Sequence, residues 1–406
     1  MKMARLPFFL LICLSCLCFS QGKQTSEKLV AAIISDWFRY SHPDAILSRI
    51  LKTYTLDGNG QKSQLKLVSI YRDNPSEKDM TITLAQEYGF EISRSIEEAL
   101  VSETGVLSVD GVFIITEHGK YPISEKGQVI RPNRKLFEEI VRVFKKNKRV
   151  VPVFIDKHIA TEWDDIKWIY ETSKKLKIPL MAGSSVPVSW RYPPVDVDVH
   201  SKLKEIVGIS YHTLDGYGFH GLEMIQCLAE QRKGGETGIK SVQCLTGDKV
   251  WEAAGKLFDK VLFDMAIERT GRKVPEGKKL EDLVKEPVLF VINYYDGLRG
   301  FLFTLNGFAN QWTAAWRYED NMMESTLFKL DENLSTLMHF ANQVLGIEKM
   351  ILTGKPSWPV ERTVLTSGAL NALLISKANS GKIINTPHLR MKYKSGWRWQ
   401  QPIFPN

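Results

Sequence analysis

From Leu29 to Ala182 the chain alternates short continuous apolar runs with amphipathic segments, and this pattern narrows the fold more than any other feature. The runs are Leu29 to Ile34, Leu65 to Ile70, Gly111 to Ile115, Val150 to Ile155 and Pro179 to Ala182. Strands that read as unbroken apolar stretches are buried on both faces, which is the signature of a parallel sheet built from βαβ units. Helices are predicted between them at Asp79 to Tyr88, Asn133 to Lys146 and Thr161 to Leu176. The apolar stripe Leu136, Ile140, Val143 and Phe144 has helical spacing and reads as core. After Pro193-Pro194 the character changes, with a strand near Ile206 to Tyr211, a helix from about Tyr217 to Gln231, a strand at Ile239 to Leu245 and a long helix. Four runs with short connections follow, Val288 to Tyr294, Gly300 to Leu305, Thr313 to Tyr318 and Ser325 to Leu330, which favours antiparallel pairing. Helices at about Leu334 to Leu352 and Val360 to Asn379 close the chain. The predicted class is α/β, a doubly wound parallel sheet followed by an α+β domain with a largely antiparallel sheet.

The first segment reads as an address. Lys2 and Arg5 precede the apolar run Leu6 to Phe19, which ends in small residues suited to cleavage near Ser20 or Gly22. That predicts a secretory signal peptide and an exported protein, periplasmic or secreted. No later stretch is apolar over the roughly 18 residues a membrane span needs. Of five cysteines, Cys13, Cys16 and Cys18 fall in this segment, so Cys227 and Cys244 alone cannot make a disulfide framework or a four-cysteine zinc site. The formal charge of +8 is spread without a long basic run and gives no case for nucleic acid. The expected organisation is a signal peptide over 1–22, a first domain over 23–192, a substrate-binding domain over 193–354, and a C-terminal helix and tail over 355–406 that packs back on the first domain.

In an open parallel sheet, ligands bind beyond the carboxyl ends of the strands, where strand order reverses. The loops in those places hold Asp36, Arg39 and His42 after the first strand, Asp73 after the second, Glu117 and His118 after Ile115, and Asp156, Lys157 and His158 after Ile155. Three of the eight histidines thus sit beside acids at successive strand ends, a concentration that points to a site. A second candidate is the stretch Gly216 to Glu223, in which Tyr217, His220 and Glu223 surround a predicted helix start and His220 and Glu223 share a face. His42, His118, His158 and Glu117 are suitable metal-ligand types, but their spacing matches no metal motif, and no metal is expected.

Taken in order, these parts resemble the Gfo/Idh/MocA-like oxidoreductases, the glucose-fructose oxidoreductase and inositol dehydrogenase type. Asp110-Gly-Val-Phe-Ile-Ile-Thr116 looks like the family's fourth strand, Asp156-Lys157-His158 stands at its Glu-Lys-Pro motif, and Gly218-Phe-His220 resembles its Gly-x-His helix start. Pro359 to Ile384 is similar to its closing helix. The resemblance implies a Rossmann-like first domain that binds NAD or NADP, a sugar or polyol substrate held against the second domain's sheet, and possible homo-oligomers. It also implies that Lys157 and His220 orient the substrate hydroxyl and take its proton. Asp36, Arg39, His42, Asp73, Glu117 and His118 would lie along the dinucleotide, and Asp156, His158, Tyr217 and Glu223 around the reacting centre. Two departures mark the dinucleotide site as degenerate: Ser35 to Pro43 has none of the glycines that let backbone approach a diphosphate, and Asp36 would repel one. The family's acid, four residues before the histidine, is replaced by Gly216. Two other readings remain open, a dinucleotide-independent hydrolase, lyase or epimerase on the same scaffold, and a non-catalytic carbohydrate binder with a cleft lined by Trp37, Tyr121 and Trp190.

Overall fold

The computed structural model describes residues 27–331 and 336–403, so the predicted signal peptide over 1–22 and Leu334 lie outside the described residues. The first part runs β1 (Lys28–Ile34), α1 (His42–Leu51), β2 (Leu65–Arg72), α2 (Thr81–Tyr88), β3 (Glu91–Ser93), α3 (Ile96–Leu100), β4 (Gly111–Ile115), α4 (Asn133–Asn147), β5 (Val153–Asp156), α5 (Trp163–Leu176) and β6 (Leu180–Gly183). Its six strands lie in the order β3-β2-β1-β4-β5-β6, all parallel. This is the doubly wound sheet the apolar runs predict, because alternate residues of one strand feed different cores. Val30, Ala32 and Ile34 of β1 join Ile46 and Leu47 of α1 on one face, while Ala31 and Ile33 meet Ile140 and Phe144 of α4 on the other.

The second part runs β7 (Trp190–Tyr192), β8 (Leu203–Ser210), α6 (Phe219–Ala229), β9 (Ile239–Thr246), α7 (Asp248–Glu252), α8 (Lys260–Arg269), α9 (Leu280–Leu283), β10 (Val288–Tyr294), β11 (Arg299–Thr304), β12 (Trp312–Tyr318), β13 (Met323–Lys329), α10 (His339–Thr353), α11 (Val360–Ala378) and β14 (Ile384–Asn385). Its eight strands follow the order β14-β9-β10-β11-β8-β12-β13-β7, antiparallel except where β8 lies parallel to β11. Phe290, Ile292 and Leu302 face α6 and α11, whereas Leu289, Val291, Phe301 and Phe303 face Leu262, Phe263 and Ala266 of α8. The chain's own insert therefore covers the far face of this sheet. That insert corrects the single long helix expected after β9: the backbone turns through Gly255 at φ +70° and restarts behind Asp259, whose carboxylate accepts the Val261 N–H.

Two helices tie the parts together. Val344, Ile347 and Met350 of α10 pack into the core around α1, so this helix covers the parallel sheet. In α11, Val360 and Val364 enter the first sheet's core while Leu365, Leu370 and Leu373 enter the second's. The Arg362 guanidinium reaches from α11 to both oxygens of Glu230 at 2.5 and 3.1 Å, a buried bidentate pair. Cys227 and Cys244 are buried free thiols, and no helix among the described residues is long and apolar enough to cross a membrane. Phe303 is fully buried beneath α8 and Ile82 is half exposed, so Phe303→Ala should cost about 3–5 kcal/mol in urea unfolding and Ile82→Ala no more than about 0.5 kcal/mol.

Candidate functional site

Strand order reverses between β1 and β4, which makes the segments after them, 35–41 and 116–132, the walls of the expected crevice. The first of these is packed shut. Trp37 is fully buried, lies parallel to Phe90 at 6.2 Å, and donates its indole N–H to Asp44. The backbone N–H groups are consumed locally: Trp37 donates to Asp79, Phe38 to the Ser41 hydroxyl, Tyr40 to the Asp44 carboxylate, Ser41 to the Phe38 carbonyl and Asp44 to the Ser41 hydroxyl. Pro43, in the first turn of α1, has no N–H to offer. A diphosphate seated at a helix N-terminus needs such donors free and no anion beside them. Here Ser41 and Asp44 already occupy the donors, and Asp36, Asp44 and Asp79 carry the wrong sign. The residues present do not fit a dinucleotide's diphosphate in that seat. Asp73, expected at a ribose, instead accepts the Tyr121 hydroxyl at 2.9 Å. Arg39 is exposed against the Tyr40 ring.

Beside the closed turn lies a cavity of about 450 Å³. His42, Glu117, His118 and Lys157 line it from the first part, and Tyr217, His220 and Trp312 from the second. His42 is the first residue of α1, and its Nδ1 sits 2.6 Å from Asp156, the last residue of β5. Lys157 follows with a left-handed backbone, φ +59°, and its ammonium donates to Glu117 at 2.7 Å. The other Glu117 oxygen accepts Arg131 at 3.0 Å, and Arg131 reaches on to Asp215 at 3.1 Å in the π-helical turn Leu214–Gly218 of the second part. Burial pushes the Glu117 carboxyl up, but Lys157 and Arg131 outweigh it and hold the group well below the usual range. A Cβ built on Gly216 would stand 3.7 Å from the Lys157 ammonium and 3.8 Å from Glu117. Glu117, two residues past β4, is the carboxylate that pairs with the Lys157 ammonium beside Gly216.

His220 is buried on α6 with Nδ1 2.5 Å from the Ser184 hydroxyl. Burial first, then Lys157 and His42, holds it well below an ordinary imidazole. Glu223, predicted on the same face, accepts the Ser184 backbone N–H on one carboxylate oxygen at 3.4 Å and the Thr366 hydroxyl on the other, and so braces α6 against α11 outside the cavity. His158 also stays outside. Its Nε2 faces the Asp215 carbonyl at 2.9 Å, its ring lies 4.2 Å from Phe219, and burial lowers its pKa to about 4. Asp156 touches the cavity only through His42.

The aromatic wall differs from the expected one. Trp37 and Trp190 are buried in cores and Tyr121 bonds Asp73, so none of the three forms the cleft. Trp312 and Tyr217 do, their rings stacked at 5.2 Å, with Tyr211 and His220 at their edges. Trp312 and Arg131 carry no motif; only pairing β12 beside β8 and folding 116–132 inward brings them here. A larger cleft of about 860 Å³ opens on the other side of Glu117 and Gly216, rimmed by exposed Lys285 and Lys377. It holds neither Lys157 nor any histidine except His212.

No protein-family model matches the chain, and no curated protein matches it in sequence. Solved structures do match in fold. GenD2 from gentamicin A biosynthesis, in complex with NAD, superposes with a TM-score of 0.55 at 13% identity, over 90% of this chain and 98% of that one. The scyllo-inositol dehydrogenase of Lactobacillus casei with bound NAD(H) and scyllo-inositol gives 0.53 at 12% identity, over 88% and 99%. A myo-inositol dehydrogenase of Corynebacterium glutamicum gives 0.53 at 14%, over 88% and 99%. The chain therefore has the fold of the Gfo/Idh/MocA-type oxidoreductases.

Four imidazoles, three buried and His118 partly so, set an acid limit on stability. Burial is the first cause in each, lowering His118 to about 3, His158 to about 4, His339 to about 3 and His220 well below its ordinary value. Below pH 6.5 the unfolded chain binds protons that the folded chain refuses, so the stability these groups contribute is intact above 6.5 and lost as pH falls. Each group contributes a slope approaching about 1.4 kcal/mol per pH unit. The urea midpoint should drop steadily from pH 6.5 to 4, and His158→Gln should make that drop shallower; a flat midpoint would contradict the burial of these rings.

Proposed function

We propose that this chain is an exported enzyme directed at a sugar or polyol, built on the dehydrogenase scaffold with a degenerate dinucleotide site. The observation that carries this reading is the convergence of Lys157 and His220, 63 positions apart in sequence, on one cavity with a stacked aromatic wall. Aromatic faces receive the C–H faces of sugar rings, while the charged and imidazole groups opposite select hydroxyls. The signal-peptide pattern of the first 22 residues supports export.

The roles follow from the contacts. Glu117 fixes the Lys157 ammonium, which retains hydrogens to donate to a ligand oxygen. Ser184 holds His220 through Nδ1, leaving Nε2 for the same ligand hydroxyl. Because burial keeps that imidazole neutral, it is ready to accept a proton rather than repel one beside Lys157. Removing Lys157 would leave Glu117 and Asp215 facing Arg131 alone, an excess of negative charge against the ligand's oxygens.

Titration of the purified chain with scyllo-inositol, myo-inositol and common hexoses, read through tryptophan fluorescence, should give saturable quenching. Trp312→Leu and Lys157→Met should each weaken it about tenfold or more, equal to about 1.4 kcal/mol. A wild-type protein silent to every sugar and polyol would refute the assignment. In parallel, NAD and NADP at millimolar concentration should leave the spectrum unchanged; micromolar binding of either would show that the β1–α1 turn opens.

A further inference from the structure

The closed turn and the cavity share one residue, His42, and its surroundings carry the reading above a step further. We infer that His42 and Asp156 form a general-base dyad, and that the cavity performs redox-neutral proton transfer at a carbon beside a ligand carbonyl. The inference rests on the sugar or polyol reading of the same cavity.

The geometry is that of a base oriented by a carboxylate. Asp156 is buried, and its Oδ2 engages His42 Nδ1 at 2.6 Å. Its other oxygen is buried with no hydrogen-bond partner among the described residues. That carboxylate therefore has no ion pair among the described residues except the imidazole, and a positive charge formed on the ring would be held by it directly. With Nδ1 fixed, Nε2 is the free nitrogen, and His42 lines the cavity with part of its ring exposed. Phe340 and His118 stand edge-on to the ring at 5.0 and 5.4 Å and restrict its rotation.

The chemistry balances without a co-reactant. His42 Nε2 removes a proton from the carbon next to the carbonyl. The C–H electron pair becomes the C=C bond of an enediolate, and the carbonyl π pair moves to oxygen, where the Lys157 ammonium donates a hydrogen bond. Return of the proton to the same face of the same carbon regenerates the ligand and appears in D₂O as exchange; protonation of the opposite face gives an epimer, and return to the former carbonyl carbon, with the adjacent hydroxyl's proton passing to the enediolate oxygen, gives an isomer, the base being regenerated each time. Nothing is oxidised or reduced overall, which agrees with a turn that does not fit a diphosphate. The ligand class is a keto-sugar or keto-polyol.

Scyllo-inosose and fructose in D₂O, followed by proton NMR, provide the test. The wild-type chain, with no NAD or NADP added, should wash out the C–H signal beside the carbonyl faster than buffer does. His42→Gln should slow that exchange about 10²–10⁴-fold. Asp156→Asn should slow it as well, and Asp156→Glu should recover part of the lost rate, because the ring needs a carboxylate against Nδ1 to hold the charge it gains. The charged and titratable groups facing His42 besides Asp156 are His118, Glu117, Lys157, His220 and His339, all intact in all three variants. Tryptophan quenching by the same two ketones reports whether each variant keeps its cavity. Exchange undiminished in a His42→Gln protein that still binds would overturn the dyad, as would wild-type binding without exchange or exchange that requires added NAD. Absence of any quenching in the wild type would instead overturn the sugar or polyol reading, and the dyad with it.

Discussion

Two bases and two acids, Lys157, Glu117, Arg131 and Asp215, share a largely buried patch at the junction of the two sheets, and the shape of the cavity depends on their mutual pairing. Glu117 and Arg131 belong to the excursion after β4, Lys157 follows β5, and Asp215 belongs to the second part. Isolated, any one of these charges would be costly to bury; removing a single partner from such a pair typically costs about 3–5 kcal/mol. Together they are neutral in sum, and their pairing brings the π-helical turn against the carboxyl ends of β4 and β5. The apolar cores hold each sheet to its helices, but this network sets which residues of one part face which residues of the other.

The same economy of donors explains the β1–α1 turn. Bends of this kind become anion sites when their N–H groups point outward unsatisfied. In this chain the hydroxyl of Ser41 and the carboxylate of Asp44 satisfy them from within, and Trp37 fills the volume below. Stability and ligand capacity are alternatives here: each hydrogen bond that holds the turn in shape removes a donor from a bound diphosphate.

How much of this was legible in sequence depended on whether a residue's fate is decided locally. β1, β4 and β6 were readable because burial on both faces leaves only apolar side chains, and α4 because its stripe repeats at 3.6 residues. Helix α1 was not, since His42-Pro43-Asp44 reads as a polar loop until Ser41 is seen to cap it. The break between α7 and α8 turns on the left-handed backbone of Gly255, a single residue inside an otherwise helical composition. Trp37 and Trp312 are indistinguishable in sequence; one is sealed under Phe90 and the other faces the cavity because β12 pairs with β8. The absence of glycine after β1 was readable, but the saturation of its N–H groups was not, as that needs Asp79 from 42 residues away.

The three histidines at successive strand ends show where the limit lies. Their sequence surroundings are alike, each within two residues of an acid, and their fates differ by what the fold places against one ring nitrogen. His158 Nε2 is taken by a backbone carbonyl beneath Phe219, which seals the ring away outside the cavity. His118 is wedged between Phe38 and His42, its Nε2 buried and without a hydrogen-bond partner among the described residues, so it remains a neutral spacer. Of the three, only His42 both lines the cavity and has a ring nitrogen held by a carboxylate. That asymmetry comes from β5 ending in Asp156 beside the start of α1, a contact between residues 114 positions apart. Proximity of histidines to acids in sequence therefore says nothing of which ring lies beside the cavity, which sheet order decides.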